Sequence, residues 1–169
     1  MNLEYFTAQL WNNAHTIRSL TVGVSDEQAR WKPAPDSWSI LEVINHLYDE
    51  EREDFRHRLD WMLHPRGQPW RANDPQGWVT QRRYNERDFE ESVNNFLYER
   101  ERSLVWLKEL PAPDWSLVYQ APWGSITTGD MFASWVAHDI LAMRQLVELH
   151  WAYTVRALAP HNVAYAGDW

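Results

Sequence analysis

Apolar residues recur at helical spacing in four long stretches of this chain, each broken from the next by proline or glycine. In the first, Leu3, Phe6, Leu10, Ile17 and Leu20 form the stripe, which ends near Gly23. Ser25-Asp-Glu-Gln28 then has the form of a capping box and predicts a single short turn, stopped by Pro33 and Pro35. The second stretch is predicted from Ser39, a hydroxyl cap with Glu42 three residues on, to Leu63 before His64-Pro65, with Ile40, Val43, Ile44, Leu47, Phe55 and Met62 as its stripe. Asp88 caps the third, whose inward residues are Phe89, Val93, Phe96, Leu97, Leu104 and Leu107, and Leu110-Pro111 ends it. Thr128 is the expected cap of the fourth, with Met131, Trp135, His138, Ala142, Gln145 and Leu149 on one face. Helices with one apolar stripe hide it only against each other, so the chain reads as all-α, a four-helix bundle forming one domain over residues 1–169.

The connections differ in kind. Residues 65–87 carry Gly67, Pro69, Asn73-Asp74-Pro75 and Gly77 with Trp70 and Trp78, a long turn-rich crossover of the sort that covers an opening. Before the fourth helix, Leu117-Val-Tyr119, Pro122-Trp-Gly124 and Ser125-Ile-Thr127 leave helical spacing and predict a short β-like corner. The tail from Pro160 to Trp169 is expected to be irregular, with Tyr165 and Trp169 folded back as anchors.

A net charge of −8 and a pI near 5.3, with Lys and Arg spread along the chain, argue against nucleic acid as a partner. Cysteine is absent, which removes disulfides and thiolate chemistry. No apolar run reaches a membrane span and the first residues lack the form of a signal peptide, so the expected location is the cytoplasm, without membrane contact. The 12 tryptophans predict half-buried rings at helix seams and pocket walls. With Trp11, Trp61, Trp106, Trp115 and Trp151 outside the stripes, they also predict a homodimer through outer helix faces.

Two histidines carry the chemistry. His46 lies on a flank of the second stripe, where Glu50, Glu53 and His57 continue at helical steps; His138 projects near the centre of the fourth helix's face and is expected to be buried. Packing the two helices brings both imidazoles into one cleft, as a metal site or proton relay requires. His15, His57, His64, His150 and His161 read as surface or cap residues.

Four amphipathic helices, Trp38-Ser39-Ile40 with a histidine eight residues after the Trp, His138-Asp139 followed by Arg144-Gln145, the Trp31-Lys-Pro turn and the Tyr165-Ala-Gly-Asp-Trp169 tail together resemble the DinB-like (damage-inducible) family. The resemblance implies an up-down-down-up bundle, often dimeric, and a divalent metal on three histidines, one from the second helix and two, four residues apart, from the last. Its relatives include thiol transferases. On this chain His46 and His138 take two of those places and Ala142 the third. A methyl group binds no metal, and Glu50, one turn after His46, is the candidate replacement donor; Asp139 points about 100° from His138 and is poorer. The leading expectation is therefore a degenerate histidine site that binds a small molecule or a partner subunit, with no metal or a weakly held one such as Zn or Ni. The alternative is a metal-dependent hydrolase or thiol transferase using His46, His138 and Glu50.

Overall fold

The computed structural model describes residues 1–65, 67, 70 and 72–167. Four long helical segments make the bundle: α1 (Leu3–Ser19), the run α3 (Ile40–Asp49) through a π-helical turn (Glu50–Phe55) into α4 (Arg56–Leu63), α6 (Phe89–Glu109) and α7 (Thr128–Leu158). Short helices α2 (Asp26–Arg30) and α5 (Pro75–Gln81) sit in the connections, and β1 (Val118–Ala121) pairs antiparallel with β2 (Gly124–Thr127) as the hairpin before α7.

Contacts between helices fix their directions. Going up the second segment, Asn45 bonds Ser92, Glu51 bonds Arg100 and Arg56 bonds Ser103, so the second segment and α6 run parallel. Phe6 meets Phe132, Asn13 bonds Asp139 and Leu20 accepts from His150, so α1 and α7 also run parallel. Since His46 meets His138 while Glu51 meets Trp135, the second segment and α7 are antiparallel. The order is up-down-down-up, which the long 64–88 crossover makes possible.

Local chemistry sets the helix starts. Ser39 and Glu42 form a full capping box, and Asp88 accepts from the Glu91 amide, as their sequence positions predict. The cap of α7 is Thr127, not Thr128, because Asp130 stands three residues after Thr127 and returns its carboxylate to that residue's N–H; Thr128 Oγ1 instead donates to the Asp114 carbonyl. At α2 only half the expected box forms: Ser25 caps Gln28, whose side chain turns to His150. Tyr165 is fully exposed and anchors nothing, while Trp169 lies outside the described residues.

The core is two apolar clusters stacked along the bundle. One holds Leu10, Phe55, Leu59, Leu104, Phe132 and Trp135, the other Ala14, Ile17, Leu47, Phe96, Ala142 and Leu146. Between them every long segment places a buried polar residue: Asn13, Glu51, Arg100 and Asp139. Most tryptophans are absorbed by packing; among the described residues only Trp11 and Trp123 are more than half exposed. Trp61, Trp106 and Trp115 pack against the first cluster.

Candidate metal centre

His46 sits in the last turn of α3 and His138 ten residues into α7, and their Nε2 atoms are 3.3 Å apart. His46 is buried, but His138 is half-buried at the edge of its helix's inward face rather than at its centre; Trp135, Asp139 and Ala142 hold the centre. Trp38 packs on the His46 ring at 4.9 Å between centroids, and Phe55 on the His138 ring at 5.2 Å. Glu50 joins the two histidines, and one donor atom from each of the three lies within 4.8 Å of the others. Among the described residues this is the one such group of three.

Glu50 opens the π-helical turn, whose wider winding of one extra residue per turn rotates the later side chains of the segment. Glu53 and His57 therefore leave the flank that a regular helix gives them. Glu53 is half-exposed and paired with Arg82, and His57 is exposed. Asp54, four residues after Glu50, turns inward beside it and accepts from Asn73 Nδ2 at 2.8 Å and Arg58 Nε at 2.6 Å.

Burial controls charge here. It pushes His46 down to about 3, helped by His138, and holds His138 below its ordinary value as well. Glu50 is pushed up to about 9, first by burial and then by the neighbouring Asp54 carboxylate. At neutral pH the three groups are uncharged, and two of their buried atoms, His46 Nδ1 and Glu50 Oε1, have no hydrogen-bond partner. Three neutral donors gathered in the interior, two of them with unsatisfied atoms, suit a cation better than they suit each other. Two imidazoles and a carboxylate are a donor set for zinc-like divalent ions and leave a coordination position open.

The pair opens to a cleft of about 750 Å³, lined by Trp38, Trp151, Gln145, Glu148 and, from the crossover, Gln76 of α5. The crossover thus borders the opening. It is held to the second segment by Asp49, which is fully buried and accepts from Tyr84 Oη at 2.5 Å and Arg82 at 2.6 Å.

A bundle of this direction order with a histidine-carboxylate centre between its second and fourth segments defines a class, and comparison with known sequences names it. The pattern of the DinB superfamily matches residues 9–146, and the chain belongs to that superfamily. The fold is similar to that of YfiT from Bacillus subtilis, a probable metal-dependent hydrolase with an unusual four-helix bundle topology, at a TM-score of 0.78 and 16% identity, covering 90% of this chain and 87% of that one. No curated protein sequence matches the chain.

Proposed function

We propose that the chain is a divalent-metal-dependent enzyme of hydrolase type, with His46, Glu50 and His138 as the protein's metal donors. The observation that carries this reading is the meeting of buried His46 and Glu50 with half-buried His138, two of their atoms unpartnered, where the histidine pair opens to a cleft. A divalent ion held by these residues would supply Lewis-acid chemistry and lower the pKa of a bound water. The chain's own residues supply the rest. Trp38 and Phe55 hold the imidazole planes, Asp54 beside Glu50 helps keep that carboxyl protonated until a cation displaces the proton, and the cleft walls admit a small molecule between Trp38 and Trp151. YfiT's description as a hydrolase agrees with this reading.

A metal-free ligand-binding bundle is the second reading, favoured by the His46–His138 contact itself, in which one neutral imidazole donates to the other. Elemental analysis of purified protein, with thermal melts in Zn²⁺ and Ni²⁺, separates the two. An ion that binds only the folded state adds about 2.7 kcal/mol at a free concentration a hundred times its Kd. Wild type should show this shift and Glu50→Ala should lose most of it. Equal melts with and without metal in wild type leave the metal-free reading.

A further inference from the structure

Directly behind the histidine pair, the Arg100 guanidinium uses all five of its N–H donors. Nε and Nη2 bond the two Glu51 oxygens at 2.8 and 2.9 Å, Nη1 and Nη2 bond the two Asp139 oxygens at 2.8 Å each, and Nη1 also bonds the Leu10 carbonyl at 2.9 Å. Asn13 donates to Asp139 at 3.1 Å, and the Trp135 indole donates to Glu51 at 3.0 Å. Every long segment of the bundle contributes a group, and Arg100, Glu51 and Asp139 are at most 2% exposed. The covalent neighbours are what matter: Glu51 follows Glu50, and Asp139 follows His138.

Stability does not account for this layer. Stripping water from one cation and two carboxylates costs as much as their attraction returns, and such triads are commonly replaced by apolar side chains without loss. What a planar five-donor fork does supply is fixed direction. Adjacent residues of a regular helix point about 100° apart, and here the π-helical turn brings Glu50 and Glu51 into the interior together, one toward the histidines and one toward Arg100.

We propose that Arg100 is a positioning residue, clamping Glu51 and Asp139 so that the π-helical turn presents Glu50, and α7 presents His138, to one point. The proposal rests on the metal-centre reading for its consequence but has a readout independent of metal. Two variants test it: Arg100→Lys, which keeps the charge and loses the fork, and the uncharged triple variant Glu51→Gln, Arg100→Met, Asp139→Asn. Each is checked for folding by circular dichroism, then measured for Zn²⁺ affinity, for the Co²⁺ visible spectrum, and for imidazole ¹⁵N shifts of His46 and His138 without metal. The expected result is a folded protein whose Zn²⁺ affinity falls about 10- to 100-fold, with an altered Co²⁺ spectrum and loss of the shift signature of the His46–His138 hydrogen bond. A folded variant with wild-type affinity, spectrum and shifts overturns the proposal, and so does loss of fold in both variants, which assigns the clamp to stability alone. If wild type takes up no metal, the proposed hydrolase function fails, and the imidazole shifts alone decide the clamp.

Discussion

At the scale of single residues, Glu50 and His46 pull stability in opposite directions with pH. The folded state holds Glu50's proton up to about 9, against 4.5 ordinarily, so its contribution is full at low pH and is lost as pH rises toward 9. His46, with its folded value near 3 against 6.5, contributes fully above 6.5 and loses that contribution as pH falls. Above pH 6.5 only the first effect operates. The urea midpoint of metal-free protein should therefore decline between pH 6.5 and 9, and Glu50→Gln should flatten that decline. Over the same range Zn²⁺ uptake should release a proton, which calorimetry in buffers of different ionisation enthalpy measures. Ala142 is buried in the second apolar cluster, so Ala142→His should cost the metal-free protein about 1–3 kcal/mol by overpacking. We also propose that it tightens Zn²⁺ binding, since it adds an imidazole one turn from His138; unchanged affinity by titration would show that the added imidazole does not reach the centre. The meeting of His46, His138 and Glu50 is legible in the sequence because helical spacing and two-helix packing are enough to produce it. Glu51 and Arg100 leave a fainter signal: Glu51 lies four residues from both Leu47 and Phe55, and Arg100 four from both Phe96 and Leu104, each a charge inside an apolar stripe.

At the scale of elements, the sequence marks starts and stops better than irregularities within a helix. Ser39, Asp88 and Pro111 show their boundaries because capping and ring constraints act over three or four residues. The π-helical turn over Glu50–Phe55 leaves no such mark, since its register is decided by what α6 and α7 offer across the bundle; hence regular spacing misplaces Glu53 and His57. Ser39 does more than cap: fully buried, it also donates to Asn85 Oδ1 at 2.7 Å and so ties α3 to the crossover. Ser39→Ala should cost about 2 kcal/mol, the upper end for a lost cap, against about 1 kcal/mol for Thr127→Ala, whose box is exposed. Urea unfolding of the two variants makes the comparison; equal losses would deny the crossover link.

At the scale of the whole molecule, the tryptophan excess is largely spent inside one chain, yet an apolar hollow of about 880 Å³ remains between α1 and α6, bordered by Leu3, Trp11, Leu104 and Leu107. Trp11 is 53% exposed there, with Tyr98 and Val105 also exposed on α6. We propose that this face pairs two copies of the chain. Light scattering should then give about twice 20.2 kDa, and Trp11→Glu should return the mass to the monomer value. A wild-type mass that stays at the monomer value as concentration rises would sink the dimer. Among the described residues no helix is long and apolar enough to cross a membrane. The parallel pairing of α1 with α7 also governs the order of assembly. Asn13 and Asp139 are 126 residues apart, so during synthesis α1 waits for α7 before Asn13 has its partner. Until then Arg100 has only Glu51 and the α1 carbonyl to hold. A chain cut after Thr127 should accordingly stay a loose, dye-binding intermediate, and adding residues 128–158 as a separate peptide should close it.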